Sequence, residues 1–532
     1  MGEKRNSSGR RRAWRALLLG ALSGLLTGYA ALTVAELVSA ALRPEASPVV
    51  AVGGAAIDRT PIALKDWAIR HFGTNDKLIL QLGILGVLAL LAVVLGVVAA
   101  RYRRVGSAGV LLFGVIGALA ATSRPDSTSF TDALPSVVGA LVGACLLWWL
   151  AGRLQAKPAD VPGSDHPQAS WDRRGFITAA TAAAVASTGV GLLGRSLNGS
   201  QGENAVASRK DITLPAPASR AKPTPANAQV RVPGTSAFTT SNKDFYRVDT
   251  ALVVPKVDAT TWRLRIHGKG VTHPVTLSFD DLLRRPLIER TITLTCVSNE
   301  VGGPYIGNAR WIGVRLADLL AESGVKPPSK GGPADQLVAR SVDGMTIGTP
   351  VDDIMDGRDS MLALGMNGQP LPFTHGFPVR MLVPGLYGYV SACKWIQDIE
   401  LTTFDDYDSY WVKRDWAQKA PIKTQSRIDT PKSFATPKAG TVMIAGVAWA
   451  QHRGVDKVEV RVDDGPWEDA TLAAEDTRDT WRQWSYPWKA TPGRHDLTVR
   501  ATDRTGETQT EKRTGTVPDG ASGRHSVVVT VD

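Results

Sequence analysis

The first 150 residues carry four long apolar runs: Ala16 to Ala41, Leu78 to Ala100, Val105 to Ala121 and Leu134 to Leu150. Each approaches the roughly 20 residues a helix needs to cross a hydrocarbon layer about 30 Å thick. In that medium a helix satisfies its own backbone groups, so residues 1–152 are expected to form a bundle of four membrane-spanning helices. Glu36 is the one acid inside these runs and sits near a helix end, where it can reach the interface. So few charges inside the runs argue against a transporter subunit.

The basic residues orient the bundle. Arg10-Arg11-Arg12, Arg101-Tyr102-Arg103-Arg104 and Arg173-Arg174 flank apolar runs, whereas the loop from Arg43 to Lys77 mixes its cations with Glu45, Asp58, Asp66 and Asp76. Cytoplasmic flanks collect Lys and Arg, which gives an in–out–in–out–in path with both ends of the bundle in the cytoplasm. The formal net charge of +11 is partly explained by these flanks. No basic stripe is interleaved with aromatics, so a nucleic-acid partner is not expected.

Trp171-Asp172-Arg173-Arg174-Gly175-Phe176-Ile177 opens an Ala-, Thr- and Gly-rich apolar run to Leu193. The arginine pair, spacer, Phe and Ile resemble a twin-arginine export signal placed internally; a fifth membrane helix with a basic flank is the other reading of 170–195. Either reading puts everything after residue 195 outside the cytoplasm. Ala205-Val206-Ala207 offers a cleavage site, but it lies far from the apolar run, and retention is expected. No histidine lies in an apolar run and no Cys-x-x-Cys-His occurs, so no haem site is visible. No Gly-rich phosphate fingerprint follows a strand, so no nicotinamide site is visible either.

Residues 196–234 are rich in Pro, Ala and Ser and read as a linker. Beyond them, Trp262 to Ile266 and Thr291 to Thr295 alternate as strands, while Ser278–Leu283 and Leu316–Leu320 read as short helices. That irregular mixture predicts an α+β domain over 235–415. After a linker at 416–439, Thr441–Trp449, Val455–Val462, Leu497–Thr502 and Ser526–Val531 read as strands. Turns are expected at Asp464-Gly465 and Thr505-Gly506. Trp467, Trp481, Trp484 and Trp488 supply large apolar bodies, so 440–532 is expected to be an immunoglobulin-like β-sandwich.

Of three cysteines, Cys145 lies in an apolar run, and Cys296 and Cys393 are too few for a disulfide framework. A thiol retained in an exported domain invites metal ligation. Cys296 ends a strand and opens the loop Cys296-Val297-Ser298-Asn299-Glu300-Val301-Gly302-Gly303. Alone, such a cysteine is most often a small buried hydrophobe.

Its neighbourhood changes that. Thr293-Leu294-Thr295-Cys296-Val297-Ser298-Asn299, Ala309-Arg310-Trp311-Ile312-Gly313-Val314-Arg315-Leu316 and Met366-Asn367-Gly368-Gln369-Pro370-Leu371-Pro372 resemble the sulfite oxidase family. So do His375-Gly376-Phe377-Pro378-Val379-Arg380-Met381-Leu382-Val383-Pro384-Gly385 and Lys394-Trp395. The resemblance covers roughly Phe238 to Asp532 and implies a molybdenum–molybdopterin cofactor with Cys296 as the thiolate ligand. It implies that His375, Arg380 and Lys394, with Tyr246 and Arg247, surround the pterin and its phosphate. A planar guanidinium and a compact ammonium suit such an anion. Arg247 matches the arginine of the family's Arg-x-His segment, where Asp249 replaces the histidine. Glu300 and Val301 stand where the family's sulfite oxidases carry an arginine pair, and the spacing from Pro384 to Lys394 is one residue longer than in the animal enzymes. Methionine sulfoxide reductases of the superfamily also lack the pair and share a Phe-Tyr in the early segment.

The expectation is thus a membrane-anchored, extracytoplasmic oxidoreductase transferring an oxygen atom to or from a small sulfur or related substrate, with Arg247 and Asp249 orienting that substrate beside Cys296. Electrons would pass to a separate carrier, a cytochrome or the quinone pool. Gly446-Val447-Ala448-Trp449, Val458-Glu459-Val460, Asp464-Gly465 and Arg500-Ala501-Thr502-Asp503 resemble the family's C-terminal dimerisation domain and imply a homodimer. The rival is a tethered binding protein that has kept the fold and lost the cofactor; joint retention of Cys296, His375, Arg380 and Lys394 argues against it.

Overall fold

The computed structural model describes residues 2–61, 64, 71, 76–124, 127, 129–155 and 173–532. Asp66, the side chains of Arg10, Arg11 and Arg12, and, from the expected export motif, Trp171, Asp172 and the side chains of Arg173 and Arg174 lie outside the described residues. The chain divides into two units, residues 1–204 with 250–254, and 205–249 with 255–532.

The first unit is helical: α1 (Gly2–Leu42), α2 (Pro48–Arg59), α3 (Asp76–Arg101), α4 (Arg103–Thr122), α5 (Leu134–Gln155) and the start of α6 (Arg173–Asp211). Five stretches among the described residues are long and apolar enough to cross a membrane: Ala16–Leu42, Lys77–Arg101, Arg103–Thr122, Phe130–Gln155 and Gly175–Asp211. They contain all four expected runs and, from Gly175 on, the segment read as a signal or a fifth helix. Helix α2, inside the loop from Arg43 to Lys77, is an addition. Helices α1 and α3 meet through glycine: a Cβ on Gly24 would lie 1.9 Å from the Ala92 carbonyl oxygen. Such close backbone contact is how helices pack where lipid removes the hydrophobic drive. Glu36 accepts a hydrogen bond from Ser47 Oγ at 2.9 Å, and Arg43 pairs with the buried Asp132 at 2.9 Å.

The expected linker at 196–234 is different in kind. Helix α6 continues to Asp211, and Arg209 near its end donates to the carbonyls of Leu371 and Pro370 at 2.7 Å each. Beyond it the chain runs extended along the second unit: Ser219 N–H donates to Leu287 O, Glu289 N–H returns a bond to Ser219 O, and Ala228 is fully buried. Composition misleads here because backbone pairing needs no large apolar side chains.

The second unit begins with an α+β domain. One five-stranded sheet has the order β2–β1–β10–β5–β6: β1 (Arg263–Gly268), β2 (Val275–Ser278), β5 (Gln336–Ser341), β6 (Thr346–Pro350) and β10 (Ile396–Thr402). The other contains β3 (Leu287–Thr295), β4 (Ile306–Arg315), β7 (Met361–Met366) and β8 (Gln369–Pro370) in that order, with β9 (Arg380–Leu382) also paired to β7. The expected short helices form at Phe279–Leu283 and Leu316–Glu322. Ser278 caps the first reciprocally with Asp281, two orphan amides satisfied at once.

The last region is a sandwich of two antiparallel sheets. One holds β11 (Gln425–Thr430), β12 (Gly440–Trp449), β16 (Arg482–Ala490) and β15 (Thr471–Leu472). The other holds β14 (Glu468–Asp469), β13 (Val455–Val462), β17 (Gly493–Asp503) and β18 (His525–Val531). Alternation puts Val458, Val460, Leu497, Val499 and Ala501 inward against Trp484 and Trp488. Strand β11 lies in the expected 416–439 linker, so the sandwich starts earlier than composition indicates. Trp481 belongs to the α+β domain's core, while Trp467 lies on the sandwich under the guanidiniums of Arg461, Arg500 and Arg524 at 4.3–5.1 Å.

Candidate active site

Strand β3 delivers Cys296 at its carboxyl end. The loop that follows is closed by its own backbone: Cys296 N–H donates to Tyr305 O at 3.0 Å, Asn299 N–H to Cys296 O at 3.0 Å, and Gly303 N–H to Glu300 O at 2.8 Å. Asn299 Oδ1 accepts from Tyr305 N–H at 2.8 Å, which explains the asparagine three residues after the cysteine. Burial pushes the Cys296 thiol above its ordinary value; hydrogen bonds from Ser298 and the charge of Lys394 pull it partly back. A buried, protonated thiol is inert until a cation displaces the proton.

Three cations, Arg380, Lys394 and Arg247, belong to the surrounding site, and of these Lys394 acts on the Cys296 thiol. Arg380, on β9, is buried, with its guanidinium 5.4 Å from the Trp311 ring. It donates to His375 O at a long 3.4 Å, and its Nε has no hydrogen-bond partner among the described residues. Burial is the main force depressing its proton affinity. Lys394 Nζ lies 2.7 Å from Asp249 Oδ2 and 3.3 Å from Thr374 O. Arg247 Nε reaches the same Asp249 oxygen at 3.0 Å. The Asp249 side chain is 3 % exposed, that of Lys394 9 % and that of Arg247 34 %.

Gly376 makes that arrangement possible. Its φ is +108°, and a Cβ there would lie 3.0 Å from Lys394 Cα and 3.2 Å from Arg380 Cβ. The turn Phe373–His375 before it presents His375, whose Nε2 lies 2.9 Å from Asn242 O and therefore carries the proton. Burial first, then Arg380 and Lys394, lower His375 to about 4, so the ring is neutral at ordinary pH. Phe245 spaces the group, edge-on to both His375 and Trp311 at 5.6 and 5.7 Å. Burial raises the Tyr246 hydroxyl, with Cys296 adding to the effect and Arg380 opposing it.

All seven expected residues, Tyr246, Arg247, Asp249, Cys296, His375, Arg380 and Lys394, thus fall in one neighbourhood. Glu300 is exposed and Val301 buried. Sequence reasoning assigned no role to Ser298, Asn299, Trp311 or Asp343. Asp343 hydrogen-bonds Ser341, and burial raises its carboxyl while Lys394 lowers it. His267, Asp398 and Glu400 form another group of possible metal ligands among the described residues. Asp398, however, stands cross-strand between Arg265 and Arg340, which a cation would have to oppose.

The residues fit molybdopterin. The orphaned Arg380 Nε–H and the orphaned Asn299 Nδ2 are buried donors that an anion with several oxygens would satisfy. A thiol at the same place offers a soft ligand for molybdenum.

Residues 251–411 match the family model described as the oxidoreductase molybdopterin binding domain. The chain is 32% identical over 309 residues to mitochondrial sulfite oxidase of Homo sapiens, a match covering 50% of this chain and 56% of that one. It therefore spans about half the length of such curated relatives. It is 35% identical over 181 residues to the oxidoreductase YuiH of Bacillus subtilis (strain 168), covering 34% of this chain and 83% of the relative. Among solved structures, the sulfane dehydrogenase SoxCD from Paracoccus pantotrophus aligns at 24% identity and a TM-score of 0.48, over 56% of this chain and 84% of that one. On the family model and the two curated relatives, the chain belongs to the sulfite oxidase family of molybdopterin oxidoreductases.

Proposed function

We propose that this chain is a membrane-anchored, extracytoplasmic enzyme that exchanges an oxygen atom with a small sulfur or related substrate and passes electrons to or from a separate carrier, a cytochrome or the quinone pool. The observation that carries the reading is Arg380, a buried cation with an unused N–H that, like the buried Cys296, acts on the Tyr246 hydroxyl. A protein without an anionic cofactor has no reason to keep such a group, because an unpaired buried charge is costly.

Bound molybdopterin supplies the two-electron oxygen-atom chemistry. The chain's residues do the remaining work. Cys296 would hold the metal through its thiolate. Arg380, Lys394 and neutral His375 hold the pterin and phosphate, with Tyr246 and Arg247 at the cradle's edge. Arg247, the most exposed of the three cations, and Asp249 orient the substrate. Phe245 and Trp311 form an apolar wall that excludes water and strengthens these charges.

The human relative is named a sulfite oxidase, and a sulfur oxyanion is the natural first substrate class. A second reading, reduction of a sulfoxide-type substrate, is favoured by two carboxylates. Glu300 stands where an arginine would help bind a dianion, and Asp249 neutralises part of the charge of Arg247 and Lys394.

Anchoring is supported by the five apolar helices and by arginines at 101, 103, 104 and 153 beside them. Lys- and Arg-rich flanks belong in the cytoplasm, which puts residues beyond the fifth helix outside. The sandwich, on its resemblance to a dimerisation domain, joins two copies.

Elemental and pterin analysis of the full chain, expressed in a host that makes the cofactor, tests the reading. About one molybdenum per chain is the expected result. A chain free of metal and pterin from such a host would favour a tethered binding protein instead.

A further inference from the structure

We infer that the carboxy-terminal sandwich is part of the device that positions the metal-binding cysteine, with Gln451, Arg427 and His525 as its positioning residues. The inference rests on the molybdopterin reading for its meaning, while its geometry stands independently.

Strand β3 is the edge of its sheet: β4 pairs with it on one side, and on the other Ser219 pairs with its first residues, which leaves the half nearer Cys296 without a strand partner among the named strands. An unpaired edge leaves backbone groups open and the strand free to shift. Sandwich-side residues occupy that edge. Thr293 N–H donates to Asp479 O at 2.9 Å, and Trp481 N–H donates to Thr293 Oγ1 at 2.7 Å. Gln451, fully buried, donates through Nε2 to Thr293 O at 3.2 Å and to Thr295 Oγ1 at 3.0 Å. Thr295 is the residue before Cys296.

The loop after the cysteine is held from the same domain. Arg427 NH1 donates to Gly303 O at 2.8 Å. Its other donors are fixed by Asp429 at 2.7 Å and Ser236 Oγ at 3.0 Å, so the guanidinium cannot follow a wandering loop. The His525 ring fills the place a Cβ would take on Gly302, whose φ is +79°: that atom would lie 2.1 Å from His525 Cδ2. His525 Nδ1 accepts from Ile428 N–H at 3.0 Å, which sets the ring's orientation.

Cys296 is therefore bracketed by contacts at 293 and 295 on one side and at 302 and 303 on the other, all made by residues more than 120 positions later. Supports of this kind orient a ligand atom that the metal alone would leave free to rotate.

The test uses the full chain and the variants Arg427→Met, Gln451→Met, Arg427→Lys and, as a control elsewhere in the sandwich, Arg500→Met, which breaks the pair with Glu459. Hydrogen exchange of the segment 296–303 is measured together with the electron paramagnetic resonance spectrum of the partly reduced, loaded protein. Arg427→Met and Gln451→Met should each speed exchange of that segment about tenfold, the effect of losing one hydrogen bond to the loop or strand. Both should alter the resonance spectrum, with Arg427→Lys restoring part of the wild-type behaviour. Arg500→Met should lower the melting temperature and leave both readouts unchanged.

Segment exchange within about twofold of wild type in Arg427→Met and Gln451→Met, with an unaltered spectrum, would overturn the inference. Should Arg427→Met fail to fold, Arg427→Lys and Gln451→Met decide by the same exchange criterion. A wild-type chain lacking molybdenum would overturn the proposed function alone, and segment exchange would still decide this point.

Discussion

Asp249 and Lys394 form a buried ion pair, Oδ2 to Nζ 2.7 Å, and the same carboxylate oxygen also takes the Nε–H of Arg247. One carboxylate thus holds two of the three cations that face the cofactor site. Asp249→Asn keeps the shape and removes the charge, taking from the buried ammonium the carboxylate 2.7 Å away. The expected result is a loss of about 3 kcal/mol or more in the stability of the cofactor-free chain. Chemical denaturation followed by tryptophan fluorescence measures it; an unchanged midpoint would mean that the pair contributes nothing net.

Arg380→Met should act in opposite directions on two measurements. Removing a buried guanidinium with an orphaned N–H should leave the cofactor-free chain as stable as wild type or more so, by about 1–3 kcal/mol. Cofactor retained through purification should fall more than about tenfold, because charge-assisted bonds to the anion are gone. Loss of stability with undiminished cofactor would reverse the assignment.

Cys296→Ser exchanges a soft thiolate for a hard hydroxyl at the end of β3. Oxygen-transfer turnover should fall by more than about 100-fold, beyond what loss of a supporting residue produces. The thiolate's contribution to the visible absorption should disappear while the fold persists, since serine is nearly isosteric. Full turnover in this variant would exclude Cys296 as a ligand.

The histidines give the cofactor-free chain an acid-sensitive stability. Burial holds His375 at about 4 and His525 at about 4, below the 6.5 of the unfolded chain. Between these values the unfolded state binds protons that the folded state refuses, so stability rises with pH through the window. It should be complete above pH 6.5 and decline steadily as pH falls toward 4. Melting temperatures across pH 4 to 7 check this, and His375→Gln should flatten part of the slope.

Much of this was readable in the chain. Strand Val455–Val462 was expected at its observed bounds because valines alternate with charged residues, and Ser278 with Asp281 marks a helix start by capping chemistry alone. The motif residues lie in one neighbourhood, and each sits in a short segment with its own local signals, such as the positive φ of Gly376. What could not be read are partnerships across distance. Nothing local tells Arg427 from any strand arginine, or Gln451 from a surface glutamine, since their partners Gly303 and Thr295 lie 124 and 156 positions away. The segment 196–234 shows the same limit: its proline-rich composition conceals that Ser219 pairs with the backbone of β3.

The grip of Gln451, Trp481 and His525 on the cysteine strand and loop also bears on the order in which the protein is made. A ribosome releases Cys296 long before it releases the residues that fix it. A nascent chain stalled or truncated ahead of the sandwich would present the thiol on an untethered edge strand. Cofactor insertion that waits for the tethered loop would then act as a proofreading step, admitting metal only to polypeptides already made through Arg427, Gln451 and His525.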